Sequence, residues 1–237
     1  MTSETIAAEE PVWPGGLAEE RRAMRFAYGA SLIMVLLSVV LSVALEESTA
    51  GFVVVGLLQG LTLLATLRVS GARRRTIVFT MVAATIATLL AAGLTYAGAG
   101  VVQARFPTLP WVPTLWGLIV LGAIAAIGRR VASFKEVDMQ TVFGLLTLYL
   151  LVGVLFSYIF MFVASFMQFF NNAEDQVADF VYFAFVTMST TGYGDLTPAP
   201  GVPRALAIGL AMIGQLYLVS VVAVAVSRMA AKGRRPH

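Results

Sequence analysis

Ser189-Thr190-Thr191-Gly192-Tyr193-Gly194-Asp195 is a polar, glycine-bearing stretch between two long apolar runs near the C-terminus. In a bilayer, irregular backbone is tolerated only where it is buried in protein or lines a water-filled cavity, because unpaired N–H and C=O groups are costly in lipid. Carbonyl groups that line a pore meet that condition. Gly192 and Gly194 also reach left-handed conformations at little steric cost, so successive carbonyls can turn toward one axis. The lining of a pore is thus one setting in which such a stretch is tolerated in a membrane.

The composition of the chain is that of a membrane protein. Its 237 residues are 59% hydrophobic and only 12% charged, which is too apolar for a soluble domain of this length. The absence of cysteine excludes disulfides and thiolate metal sites, and the single histidine is His237. The sequence contains no recognisable set of nucleophile, base and acid, so we expect neither an enzyme nor a cofactor.

Six uncharged stretches are close to the ~20 residues that a helix needs to cross the hydrocarbon core. They are residues 26–45, 51–67, 76–98, 109–128, 141–170 and 205–227. The sequence therefore predicts an all-α membrane protein with six transmembrane helices.

The basic residues predict the orientation of these helices. If the N-terminus is cytoplasmic, 14 of the 16 Lys and Arg residues lie on the inner side, and only Arg105 and Arg204 lie outside. The positive-inside rule then places both termini in the cytoplasm and predicts a multi-pass protein of the plasma membrane. Because this sorting accounts for the basic residues, we expect contact with membrane lipids and no nucleic acid partner.

Thr190-Thr191-Gly192-Tyr193-Gly194 resembles the selectivity filter of the potassium channel family. The resemblance implies that potassium binds to the carbonyls of Thr190, Thr191, Gly192 and Tyr193 and to the Thr190 hydroxyl. It also implies that the side chains of Thr191 and Tyr193 point back into the protein. The family usually has Val or Ile at the position of Thr191, so this chain carries an additional hydroxyl behind the filter.

The segment before the filter, residues 177–189, resembles the re-entrant pore helix of the same family. The resemblance predicts that an aromatic set packs around the filter, and that Tyr182 and Asp195 support the filter through a hydrogen bond. The aromatic set consists of Phe180, Tyr182, Phe183 and Phe185. The alternative for these residues is an ordinary aromatic cluster in the protein core or facing lipid.

The whole chain resembles the prokaryotic six-transmembrane type of potassium channel, but without voltage-sensor arginines. Residues 114–128 of the fourth helix contain no charge, whereas a voltage sensor needs charges that each gain ~2.3 kcal/mol per 100 mV. The expected organisation is a cytoplasmic N-terminal tail (1–25), a four-helix domain resembling a voltage sensor without gating charges (26–128), a linker (129–140), a pore domain (141–228) and a basic cytoplasmic tail (229–237). The linker fits either an interfacial helix or a solvated connection.

Gly214, in the last helix, is the candidate hinge. It follows Thr190 at the distance at which many family members carry a hinge glycine, and a residue without Cβ bends at lower cost. Glycine is also common where transmembrane helices pack closely. Hinge and packing are both open interpretations.

A filter needs oxygen ligands around its whole circumference, while the chain supplies one TTGYG strand. The resemblance therefore implies a homotetramer around a central pore. The expected function is a potassium-selective channel that conducts passively and is not steeply voltage-gated. The alternatives are the pore subunit of a potassium uptake transporter and a non-conducting regulatory subunit.

Overall fold

The computed structural model describes residues 16–45, 49–69, 82, 85, 110–132, 139–173 and 176–233. Their helices are α1 (Gly16–Ala44), α2 (Thr49–Val69), α3 (Trp111–Ala132), α4 (Met139–Ala164), α5 (Val177–Met188) and α6 (Val202–Gly233). The predicted third span, residues 76–98, lies outside the described residues apart from Val82 and Thr85.

Several helix boundaries differ from the predicted ones. The first helix begins at Gly16 and not near residue 26, because residues 17–25 are mostly good helix formers that follow Pro11, Pro14 and Gly15. The last helix continues to Gly233, beyond the predicted end at residue 227. The ends of the predicted linker belong to helices, since α3 extends to Ala132 and α4 begins at Met139.

Three of these helices are long and apolar enough to cross a membrane. They contain the stretches Trp111–Ala132, Thr141–Ala164 and Val202–Val221. Shorter apolar stretches, Tyr28–Ala44 and Gly56–Ala65, lie in α1 and α2. A helix satisfies its own backbone hydrogen bonds, which the hydrocarbon core requires. The described part of the chain is therefore an all-helical membrane protein.

Helix α4 is central, because it packs against α1, α3, α5 and α6. One apolar core lies among α1 to α4. On α3 it includes Trp116, Ile119 and Val120, which return to the same helix face with the period of an α-helix. Leu118 and Leu121, on the opposite face of α3, are exposed, as expected for a helix that contacts lipid.

A second apolar core joins α4, α5 and α6 to the connection between α4 and α5. Phe169 and Phe170, in that connection, are fully buried against Phe160 of α4 and Phe180 and Phe183 of α5. This packing explains why the predicted fifth span ends at Ala164 and not at residue 170. The apolar run continues past Ala164, but its last aromatic residues fill the core from a non-helical segment.

Candidate functional site

The segment 189–195 begins as the C-terminal cap of α5. The Thr190 N–H donates to the Thr187 carbonyl at 3.0 Å, and the Thr191 N–H donates to the Val186 carbonyl at 3.0 Å. This pair of bonds, across a residue with positive φ, is a Schellman motif. The cap sets the direction in which the chain leaves the helix.

Thr190 occupies the left-handed position of this cap, with φ of 60°. The position is usually glycine, and an L-residue with a Cβ pays roughly 1–2 kcal/mol to adopt this conformation. Among the described residues, Thr190 is the only non-glycine with positive φ. A β-branched residue at this place is a strained choice, which is typical of functional segments.

The hydrogen bonds of the cap also fix the direction of two carbonyl groups. The N–H groups of Thr191 and Gly192 both point at the Val186 carbonyl oxygen, at 3.0 and 3.4 Å. In a planar trans peptide, the carbonyl of the preceding residue points the opposite way. No cis peptide occurs in the described chain. The carbonyls of Thr190 and Thr191 therefore both face away from α5, on the same side of the segment.

The sign of φ alternates along the rest of the segment. Gly192 and Gly194 have φ of 52° and 82°, as the sequence predicted, while Thr191 and Tyr193 are not left-handed. Residues 189–195 are all exposed in the single chain. The side of the segment that faces away from α5 is therefore not covered by the described chain.

The side chains of Thr191 and Tyr193 are directed toward neighbouring groups of the same chain. The Tyr193 ring stacks on the Tyr182 ring of α5, with centroids 6.5 Å apart and planes 6° apart. The Thr191 Oγ1 lies 2.9 Å from the Ser189 Oγ. The additional hydroxyl of Thr191 thus has a hydrogen-bond partner in Ser189.

At the outer end of the segment, the hydrogen bond expected between Tyr182 and Asp195 is present. The Tyr182 hydroxyl donates to Asp195 Oδ2 at 2.7 Å. This bond, with smaller contributions from the backbone N–H groups of Leu196 and Asp195, holds the pKa of the Asp195 carboxyl below its ordinary value. Asp195 is consequently a carboxylate at neutral pH.

The α4–α5 connection also holds the outer end, through residues that the sequence analysis missed. The Asn172 side-chain amide donates to the Asp195 carbonyl, and its oxygen accepts from the N–H and hydroxyl of Thr197 at 3.0 and 3.2 Å. The Asn171 N–H donates to the Thr197 carbonyl at 2.9 Å, beside an antiparallel bridge between Phe170 and Pro198. The only sequence signal was the polar Asn171-Asn172 pair directly after the aromatic run.

The inner end of the segment lies where α4, α5 and α6 converge at Met188. The Tyr149 hydroxyl of α4 donates to the Met188 carbonyl at 3.2 Å, which satisfies an acceptor that a helix end leaves open. A Cβ added to Gly214 would lie 2.6 Å from Met188 Cγ and 2.7 Å from the Met188 carbonyl oxygen. A Cβ added to Gly153 would lie 2.9 Å from Phe185 and 3.0 Å from Met188. Close packing accounts for Gly214, and its role as a hinge stays a prediction.

The expectation that four aromatic residues of α5 surround the filter is wrong for Phe180 and Phe183. Both pack into the second apolar core, against Phe169 and Phe170. The reason is helical geometry. Phe180 and Phe183 are three residues apart and share one face of α5, whereas Tyr182 lies on another face, where its ring stacks on Tyr193.

Two comparisons with known proteins found similarity to ion channels. Residues 144–231 match the sequence model of a family described as ion channel. The chain is also similar to the two pore potassium channel a of Oryza sativa subsp. japonica, with 39% identity over 99 residues. That similarity covers 41% of this chain, and the chain spans 26% of the length of the rice protein. No solved structure matches the chain.

The family match begins at residue 144 in α4 and ends at residue 231 in α6, so it contains all of α5 and the segment 189–195. The region that aligns with ion channels is thus the one whose backbone geometry was described above. Residues 144–231 are therefore similar to an ion channel domain.

Proposed function

We propose that the chain is one subunit of a homotetrameric, potassium-selective channel whose selectivity filter is residues 190–194. The observation that carries the proposal is the direction of the Thr190 and Thr191 carbonyls. Both face away from α5, because the N–H groups of Thr191 and Gly192 converge on the Val186 carbonyl oxygen. Four such strands around an axis present rings of oxygen ligands to a dehydrated cation.

The proposed permeant ion is potassium, bound by the carbonyls of Thr190, Thr191, Gly192 and Tyr193 and by the Thr190 hydroxyl. Support comes from the TTGYG segment and from the rice relative, which is itself called a potassium channel. Thr191 is compatible with this role, because its hydroxyl bonds Ser189 and leaves the carbonyl available. Passive conduction through such a filter needs no cofactor and no catalysed reaction.

The homotetramer is supported by the surfaces that one chain leaves open. The strand 190–194 is exposed, and so is an apolar stripe on α6 that consists of Ile208, Met212, Leu216 and Val219. These α6 residues recur every three to four positions, so they lie on one face of the helix. We propose that further copies of the chain cover the filter strand and this stripe, with Gly214 facing the C-terminus of the pore helix α5.

The proposed membrane arrangement has six spans, cytoplasmic termini and a plasma-membrane location, with α5 entering the membrane only part-way. A helix of 12 residues is too short to cross it. The fourth predicted span, which lies in α3, carries no charge in residues 114–128, and the basic residues of α3 lie in its last turn, at Arg129 and Arg130. We therefore propose that this span is not a voltage sensor. Conductance should therefore vary only shallowly with voltage, and a measurable gating current with a steep conductance–voltage curve would contradict this arrangement.

The test is to purify the protein, determine the mass of the particle in lipid nanodiscs, and measure ion flux in liposomes. The proposal predicts a particle of four chains that releases potassium and retains sodium. A particle of one or two chains with selective flux would contradict the filter geometry. A tetramer without any flux would instead favour a non-conducting regulatory subunit, and flux driven against a potassium gradient would favour an uptake transporter.

A further inference from the structure

The filter segment is held by hydrogen bonds at its two ends and not in its middle. At the inner end, the N–H groups of Thr191 and Gly192 bond the Val186 carbonyl. At the outer end, Asp195 is bonded through its carboxylate and its carbonyl. Within the described residues, no hydrogen bond reaches the backbone of Tyr193 or Gly194. Apart from the stacking of the Tyr193 ring on Tyr182, the positions of Tyr193 and Gly194 therefore depend on how firmly Asp195 is held.

Asn172 makes the contact that joins Asp195 to the rest of the outer loop. Its amide nitrogen donates to the Asp195 carbonyl, and its amide oxygen accepts two bonds from Thr197. One side chain thus bridges the residue directly after the filter and the residue two positions later. The hydrogen bond from Tyr182 holds the side chain of Asp195, whereas the hydrogen bond from Asn172 holds its main chain.

Asn172 is itself held in place by the second apolar core. Phe169 and Phe170, which precede it, are fully buried. Two backbone hydrogen bonds join this segment to the loop after the filter: the Asn171 N–H donates to the Thr197 carbonyl, and the Ala199 N–H donates to the Phe169 carbonyl. The Asn172 amide therefore projects from a backbone that packs against α4 and α5. The position of the Asn172 side chain relative to Asp195 is therefore set by the packing of the α4–α5 connection.

We propose that Asn172 is a positioning residue, which keeps the outer end of the filter in its ion-binding conformation when few potassium ions occupy it. The proposal rests on the proposed function above. In an occupied filter, the cation attracts the carbonyl oxygens of the four strands. In an empty filter, these partial negative charges face one another and repel. The hydrogen bonds of Asn172 then contribute more to keeping the filter strand in its conformation. Substitution of Asn172 should therefore reduce the potassium current most at low potassium.

The chain offers a matched control and a variant that separates the two halves of the contact. Asn171→Ala removes a neighbouring amide that donates to the Pro198 carbonyl at 3.1 Å, without touching Asp195. Asn172→Asp keeps an oxygen acceptor for Thr197, but replaces the donor to the Asp195 carbonyl with an oxygen that repels it. Asn172→Ala removes both halves.

The experiment measures potassium current and potassium-over-sodium permeability in planar bilayers while external potassium is lowered, for wild type and the three variants. We expect Asn172→Ala and Asn172→Asp to assemble and to select potassium when potassium is high. As external potassium is lowered, both variants should lose current at a concentration about tenfold higher than the one at which wild type loses it. A tenfold shift corresponds to the loss of about one hydrogen bond to a polar partner. Asn171→Ala should behave as wild type.

Two results would overturn the role of Asn172 while leaving the proposed function intact. One is a selective wild type whose Asn172→Ala and Asn172→Asp variants keep the wild-type potassium dependence. The other is an equal shift in Asn171→Ala, which would point to the loop as a whole. Wild-type protein without potassium-selective current would overturn the proposed function, and the role of Asn172 with it. If Asn172→Ala fails to assemble, Asn172→Asp decides the question.

Discussion

The two ends of the segment 189–195 are held in different ways. The outer end is fixed by polar side chains from two directions, Tyr182 on α5 and Asn172 in the α4–α5 connection. The inner end is fixed by backbone hydrogen bonds to the end of α5 and by close packing around Met188, where Gly214 and Gly153 allow neighbouring helices to approach. Hydrogen bonds from side chains can be lost one at a time, whereas the contact of Gly214 with a backbone carbonyl leaves no room for an added atom. The inner end should therefore tolerate less change.

The largest effect is expected between the two ends, at the glycines of the filter. Gly192→Ala or Gly194→Ala places a Cβ on a residue with φ of 52° or 82°, at a backbone cost of roughly 1–2 kcal/mol. No atom beyond the adjacent residues lies within 4 Å of either added Cβ, so the effect is conformational and not a clash with a neighbouring element. We expect loss of potassium-selective current in planar bilayers.

Gly201 provides the control for that prediction. Its φ is 90° and its Cβ would also meet nothing within 4 Å, but it lies at the start of α6 and outside the filter. Gly201→Ala should carry a similar backbone strain and leave the permeability ratio unchanged. If it abolished selectivity as completely as Gly192→Ala, general destabilisation would explain both results.

The inner end is tested by Gly214→Ala. The added Cβ would overlap the Met188 carbonyl, and overpacking of this kind costs typically about 1–3 kcal/mol. We expect a lower melting temperature of the assembled particle and a smaller potassium current. Gly209→Ala is the control, because its Cβ would meet no atom within 4 Å beyond its chain neighbours and the backbone of its own helix, and alanine favours a helix by roughly 0.5–1 kcal/mol. A Gly214→Ala particle as stable as Gly209→Ala would contradict the packing described here.

A smaller effect at the same end is expected for Tyr149→Phe. The substitution removes the donor to the Met188 carbonyl at the end of α5, which should cost about 1 kcal/mol in thermal stability. Tyr217→Phe removes a comparable hydroxyl that donates at 2.7 Å to the Leu145 carbonyl, in the interior of α4. A carbonyl inside a helix already accepts a hydrogen bond from the helix backbone, so Tyr217→Phe should cost less stability than Tyr149→Phe. Equal losses would show that the position at the helix end has no special role.

The smallest effect concerns pH at the outer end. The pKa of Asp195 is lowered in the folded protein. The stability that the ionised carboxylate contributes is therefore fully present above the ordinary carboxyl pKa of about 3.9, and it is lost as the pH falls through the lower pKa of the folded state. Current should thus be insensitive to this group from about pH 8 to about pH 5, and should decline only below about pH 4. Asp195→Asn should remove the acid decline. A midpoint near neutral pH that disappears in Asp195→Asn would contradict the lowered pKa.

The sequence predicted the parts of this site that depend on short spacing or on residue type. The positive φ of Gly192 and Gly194 follows from the absence of a Cβ. The bond between Tyr182 and Asp195 was expected from resemblance, and it joins residues only 13 positions apart. The left-handed Thr190 was missed, because the cap position that it occupies is usually glycine.

Contacts between distant parts of the chain could not be predicted. Asn172 lies 23 to 25 positions from its partners in a connection with no periodic pattern, so nothing in the sequence pairs them. The end of α4 at Ala164 was missed because the apolar run continues through Phe170, and hydrophobicity does not distinguish a helix from a buried loop. Which face of α5 packs into the core could be predicted only once the positions of Phe169 and Phe170, which contact Phe180 and Phe183, were known.

The central claim is that the carbonyls of residues 190–193 select potassium. The most direct measurement is the reversal potential of purified wild-type protein in a planar bilayer, with potassium on one side and sodium on the other, repeated with Gly192→Ala and Gly201→Ala. If residues 190–194 are the selectivity filter, wild type and Gly201→Ala should reverse close to the potassium equilibrium potential, while Gly192→Ala loses selectivity or current. A wild-type reversal potential near zero, or a Gly192→Ala variant as selective as wild type, would contradict this assignment.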